Sequence, residues 1–156
     1  MNSTLPAALA SAVLALACLA ACWLDLKYRR IPNWLCAITA VAGLGYAAWA
    51  GGLSPLGSHA LHLAIALAVG IGLFALGVFG GGDAKFYAAV AGWFSLGQAI
   101  PLAVTVSLVG LVLLIVWFTW RRLAGKPVRV KGGTAFDSLP YGIAIAGGGL
   151  LSWFYL

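Results

Sequence analysis

Six apolar runs, at about residues 5–24, 34–50, 59–79, 84–98, 100–120 and 140–156, occupy most of this chain and leave it few ways to fold. Hydrophobic residues make up 63% of it and charged residues 8%, which is too little polar surface to cover a soluble globule. The chain therefore reads as an integral membrane protein. In lipid every backbone N–H and C=O must be paired within the protein, so only helices and closed barrels cross. A barrel needs strands of about ten residues with alternating polarity, and the continuous Leu, Ala and Val runs contradict that pattern. At about 20 residues per span, the expectation is an all-α, polytopic membrane helical bundle of about six transmembrane helices. Residues 1–156 are expected to form a single transmembrane domain with no separate soluble part.

Orientation follows from the basic residues, because cytoplasmic loops retain Lys and Arg. With six spans, the segments around 25–33, 80–85 and 121–139 share one side. All nine basic residues fall there: Lys27, Arg29, Arg30, Lys85, Arg121, Arg122, Lys126, Arg129 and Lys131. Both termini are thus expected on the non-cytoplasmic side. The net charge of +6 is distributed among membrane-edge loops, which argues for topology and contact with anionic lipid head groups rather than nucleic acid. Leu19-Ala20-Ala21-Cys22 resembles a lipoprotein cleavage box, but the positive cluster follows the first apolar run instead of preceding it, which predicts a retained helix. Cys18, Cys22 and Cys36 form no CxxC pair and have apolar neighbours, so packing is the expected role. Trp23, Trp34, Trp93, Trp117, Trp120 and Trp153 lie near predicted span ends, where aromatic belts anchor membrane proteins. His59 and His62, at the far end of the third run, read as interfacial.

The chain has three acidic side chains, Asp25, Asp83 and Asp137, and no glutamate. Asp25-Leu26-Lys27-Tyr28 ends the first apolar run. Asp83-Ala84-Lys85-Phe86, preceded by Gly80-Gly81-Gly82, follows the third. The matching Asp-x-Lys-aromatic segments hint at a parallel repeat of two hairpins, each with its acid at the same corner. A carboxylate within a transmembrane segment costs about 2.5–3.5 kcal/mol on insertion scales, which makes such acids functional candidates. Each glycine weakens a helix by about 1 kcal/mol relative to alanine, so Gly80 to Gly82 predict a break or joint directly before Asp83. Pro32 and Asn33 read as a helix break and start. Asp137, whose flanks match neither acid segment, reads as a cap for the last helix.

Two carboxylates that meet cannot both ionise and share a proton near neutral pH. One then accepts a proton from water while the other donates to a peptide carbonyl oxygen, which gives a tetrahedral intermediate with no metal and no cofactor. The serines lack an adjacent base, and no His and acid cluster supports a zinc site. Aspartic-protease chemistry by Asp25 and Asp83 is the expectation.

The stretch from Gly80 to Gly92, GGGDAKFYAAVAG, resembles the GxGD signature of intramembrane-type aspartyl proteases, and its Asp-x-Lys continuation is most similar to the type IV prepilin peptidases. The segment Asp25 to Asn33, DLKYRRIPN, resembles the region of that family's first catalytic aspartate, and Leu139-Pro140-Tyr141-Gly142 is similar to a third motif in its last helix. The resemblance implies Asp25 and Asp83 as the catalytic pair. It implies Gly80, Gly82, Lys85, Pro140, Tyr141 and Gly142 as substrate-binding or supporting residues. It further implies cleavage of leader peptides from prepilins and pseudopilins at the cytoplasmic face of the bacterial inner membrane. Larger members carry a cytoplasmic insertion with paired CxxC motifs and N-methylate the new terminus; this chain has no such insertion, so methyl transfer is not expected. Its compactness is similar to the short form serving Flp-type tight-adherence pili. On the residues themselves, Lys85 reads as a partner of Asp83, a contact for substrate backbone or a topology signal. The glycines before Asp83 are expected to admit an extended substrate strand, with Pro140 and Gly142 offering backbone groups for it to pair with.

Two other classes of function fit a small polytopic protein. A proton-coupled transporter subunit predicts polar residues continuing across the bilayer, whereas here polar groups gather at one edge. A non-catalytic membrane scaffold predicts that Asp83→Asn alters assembly and no cleavage event.

Overall fold

The computed structural model describes residues 4–125 and 140–156, and these form six α-helices. They are α1 (Thr4–Tyr28), α2 (Asn33–Gly51), α3 (Leu53–Ala75), α4 (Gly81–Ala91), α5 (Ala99–Leu123) and α6 (Tyr141–Tyr155), with a single 3-10 turn at Leu96–Gln98 before α5. Asp137, Leu139 and the basic residues Lys126, Arg129 and Lys131 lie outside the described residues.

Four segments are long and apolar enough to cross a bilayer: Ala7–Tyr28, Asn33–Gly51, Leu53–Ala75 and Leu96–Leu123. Their outer faces carry Leu16, Val41, Val69 and Val112, all more than half exposed, an apolar exterior that lipid covers and water does not. The fourth apolar run, expected at 84–98, is an 11-residue helix that starts at Gly81 and stops at Gly92. At 1.5 Å per residue it is about 16 Å long, roughly half the hydrocarbon thickness. Its surroundings are protein, not lipid: Ala84, Phe86 and Ala88 to Ala91 are buried, and α4 packs on α2, α3 and α6. The small-residue run of α6 serves the same close packing. A Cβ on Gly148 would lie 2.5 Å from the Val106 backbone, so α5 and α6 approach to a distance that excludes any side chain there.

Such a short helix leaves irregular backbone inside the bundle, whose polar groups need partners from the protein. One turn of α3 supplies the partners. His59 Nδ1–H donates to the Gly92 carbonyl and His62 Nδ1–H to the Phe94 carbonyl, each at 3.1 Å; an acceptor-only partner requires the proton on Nδ1 in both. Ser58 Oγ accepts the Leu96 N–H at 2.9 Å, and Trp93 Nε1–H donates to the Thr39 carbonyl of α2 at 2.9 Å. These contacts correct two expectations. His62 is 2% exposed and bonded within the bundle, not interfacial, and Trp93, also 2% exposed, is a core residue packed edge-on against Trp153 and not a belt anchor. Trp23, Trp34 and Trp120 do face outward. Cys18 and Cys36 are buried in the apolar core.

Candidate active site

Asp25 and Asp83 line one cavity of about 430 Å³, together with Arg29 to Asn33 and Gly80 to Gly82. The two acids reach it from helix ends of opposite polarity. Asp25 sits in the last turn of α1 and Asp83 in the first turn of α4. The repeated Asp-x-Lys-aromatic sequence is therefore not a parallel structural repeat: the same four-residue pattern closes one helix and opens another. Asp25 is 7% exposed and Asp83 half-buried.

The turn after Asp25 brings the chain back over the cavity. Arg29 adopts a left-handed conformation (φ 53°) and its N–H donates to the Asp25 carbonyl at 3.0 Å, which ends α1. Left-handed backbone is uncommon outside glycine. Pro32 then caps α2 in an extended conformation, one residue earlier than Asn33, and has no side chain able to bond the first turn. Asn33 Oδ1 instead accepts from Lys85 Nζ at 3.1 Å. Lys85 thus ties the start of α2 to the start of α4, and its hydrogen-bond partner is Asn33, not Asp83.

On the other side of the cavity the chain breaks between Ala75 and Gly81. The left-handed position is Gly77 (φ 70°), whereas Gly80 is ordinarily extended and Gly81 and Gly82 are already helical. The glycine triplet is thus not one joint, and its members differ in surroundings. A Cβ on Gly80 would sit 2.5 Å from Asp83 Oδ2, while one on Gly82 would meet the Ile31 backbone at an ordinary 3.5 Å. Gly80 is bare because the carboxylate lies against it. Asp83 lies outside the four candidate spans. Burial, and after it the neighbouring Asp25 carboxylate, push its pKa up to about 6.

The third wall is α6. Pro140 occupies its N-cap position and offers no capping side chain. The Gly142 N–H, an orphan donor of the first turn, donates to Asp25 Oδ2 at 2.9 Å. Asp25 therefore caps α6 from across the bundle. The expectation that Gly142 presents a free backbone group is corrected accordingly, since its amide is occupied. A Cβ on Gly142 would lie 2.8 Å from the same Oδ2. Tyr141 turns away from the acids and packs edge-on against Phe79, ring centroids 5.0 Å apart. Phe79 was not singled out by sequence reasoning; its place directly before the glycine triplet is the signal that marks it.

A cavity walled by two carboxylates, one of them with its pKa pushed up to about 6, is suited to moving protons to and from a polar substrate. Residues 12–115 match the type IV leader peptidase family, a stretch that includes both acids and Gly80 to Lys85 and stops short of Pro140 to Gly142. No curated protein and no solved structure matches the chain.

Proposed function

The chain belongs to the type IV leader peptidase family, and from that premise we propose that it is a membrane-embedded aspartic endopeptidase with Asp25 and Asp83 as its catalytic pair. The observation that carries this reading is the meeting of the two acids in one cavity. A water held between the carboxylates gives a proton to the ionised one and attacks the peptide carbonyl carbon. The protonated one donates to the carbonyl oxygen. Collapse of the tetrahedral intermediate breaks the C–N bond, and the departing amine takes back a proton from the pair. Gly80 and Gly142 leave room for the carboxylates, Lys85 holds the starts of α2 and α4 together, and the Pro140–Tyr141–Gly142 turn sets Asp25.

The substrates in this reading are prepilins and pseudopilins of the Flp type, cut at the end of the leader peptide. In this reading the acids lie at the cytoplasmic edge of a bacterial inner membrane, with six crossings, both termini on the opposite side and lipid head groups around the basic loops; the basic residues at the α1 and α5 ends support it. N-methyl transfer is not part of the activity. The test is co-expression of a tagged Flp-type prepilin with the parent protein and with inserted Asp25→Asn and Asp83→Asn variants, followed by the mass of the pilin. Leader loss with the parent alone supports the reading; unchanged mass across several prepilins overturns it.

A further inference from the structure

Asp25 and Asp83 share one cavity, but their partners differ. Asp25 Oδ2 accepts the Gly142 N–H at 2.9 Å, and Arg29 lines the cavity one helical turn beyond Asp25. Among the described residues no hydrogen bond reaches the Asp83 carboxyl, and the Lys85 ammonium two residues on is held by Asn33. We propose that the proton shared by the pair resides on Asp83, which makes Asp83 the general acid and Asp25 the general base, with Arg29 as the positioning residue that keeps it there. This division of roles rests on the peptidase reading above and deepens it.

Burial works against the charge on both carboxylates. At Asp25 two neighbours oppose it, the Gly142 N–H and the Arg29 guanidinium, and each favours an ionised acid. At Asp83 the second influence is the Asp25 carboxylate, which acts in the same direction as burial. Helix ends do not reverse this asymmetry. Asp83, in the first turn of α4, gains from the positive end of that helix, whereas Asp25 lies at the negative end of α1. Through Gly142, however, Asp25 also meets the positive end of α6, and a hydrogen bond to a charged group is worth more than the field of one helix end. The remaining charged group lining the cavity is Arg30, which is exposed. Two titratable neighbours, the thiols of Cys22 near Asp25 and Cys36 near Asp83, are ordinarily uncharged near neutral pH.

The backbone of Arg29 points the same way. Among the described residues it is the one non-glycine with a positive φ, at 53°. That conformation suits glycine and costs any residue with a side chain, so an arginine held there implies a use for its guanidinium. The hydrogen bond to Gly142 also fixes which oxygen works. Oδ2 of Asp25 is taken, which leaves Oδ1 to receive a proton. Water gives a proton to Oδ1 as its oxygen bonds the peptide carbon, and Asp83 gives its proton to the carbonyl oxygen. The gem-diol then returns one hydroxyl proton to Asp83 while Asp25 passes its own to the nitrogen as the C–N bond breaks. Both acids end as they began.

Three aspartates and no glutamate make this directly observable. Protein labelled with 13C at the aspartate side-chain carboxyl gives three NMR signals, assigned with Asp25→Asn, Asp83→Asn and Asp137→Asn. On raising the pH in detergent, the Asp25 signal is expected to leave its protonated position first and the Asp83 signal last. The reverse order, or equal movement of both, overturns the assignment. Arg29→Gln removes the charge without placing glycine at the left-handed turn, and Arg29→Lys keeps the charge. Gln is expected to bring the two titrations together and to slow prepilin cleavage about tenfold, part of what acid–base catalysis supplies, and Lys to restore most of both. Unchanged titrations in Arg29→Gln overturn the role of Arg29. If the parent protein cuts no prepilin, the peptidase reading fails, and the order of the two signals still decides where the proton sits.

Discussion

The carboxylate of Asp25 accepts the backbone N–H of Gly142 at 2.9 Å, so a side chain near the end of α1 caps a helix that begins 116 residues later. One acid therefore has two duties, to finish the fold around the site and, in the proposed mechanism, to move a proton. The two are separable by substitution.

Asp25→Asn keeps an acceptor for Gly142 and removes the titrating group. Asp25→Ala removes both. Prepilin cleavage is expected to vanish in each, whereas only Asp25→Ala loses the cap, at about 1–2 kcal/mol. Unfolding in detergent monitored by tryptophan fluorescence measures the difference. Equal stability of the two variants would show that the cap contributes nothing.

Gly80→Ala places a methyl 2.5 Å from Asp83 Oδ2 and must displace that carboxylate. Misplacement of a reacting group by about 1 Å costs on the order of 100-fold in rate, so kcat is expected to fall by about that factor with KM little changed. Gly82→Ala, which meets only ordinary contacts, is expected to stay within a few-fold of the parent. Equal losses for both would favour flexibility of the triplet over space for the acid.

Asp83, with its pKa pushed up to about 6, is protonated below that pH and loses its proton as pH rises. The proposed reaction needs one protonated carboxylate, so kcat/KM is expected to decline on the alkaline side, approaching tenfold per pH unit, with a limb that belongs to the acid pair as a unit. The stability linkage has the same sign. A carboxyl with a raised folded pKa stabilises fully below its ordinary value and loses that contribution as pH rises through about 6. A limb displaced upward by two units or more assigns the proton to another group.

His62 is the inner of the two histidines that hold the end of α4. His62→Leu leaves the Phe94 carbonyl unpaired in an apolar interior, a cost of about 1–3 kcal/mol. His62→Asn puts an amide N–H close to the position of Nδ1–H and is expected to restore most of the loss. Thermal unfolding of the purified variants reads this directly, and identical values for Leu and Asn would remove the hydrogen bond from the account.

Much of this architecture is legible in the apolar runs, because α1, α2, α3 and α5 are each a continuous hydrophobic helix long and apolar enough to cross a bilayer. The run at 84–98 misleads for a physical reason. Side chains facing protein and side chains facing lipid are equally apolar, so a buried half-length helix such as α4 has the composition of a short span. Asp25 and Asp83 are visible as candidates because carboxylates are rare here, and their meeting in one cavity was an expectation from chemistry. The bond from Gly142 to Asp25 and the pairing of Phe79 with Tyr141 were not legible. Both join residues far apart in the chain, and neither leaves a local pattern.

The brevity of α4 has a mechanical consequence. Held at its far end by His59, His62, Ser58 and Thr39, it works as a ruler of 11 residues that sets the depth at which Asp83 sits. Lengthening it by one residue lifts the acid by about 1.5 Å and swings it about 100° around the helix axis, out of register with Asp25. The far side of the bundle thereby determines where the acids meet, and the spacing from Asp83 to Phe94 is as much a part of the site as the carboxylates themselves.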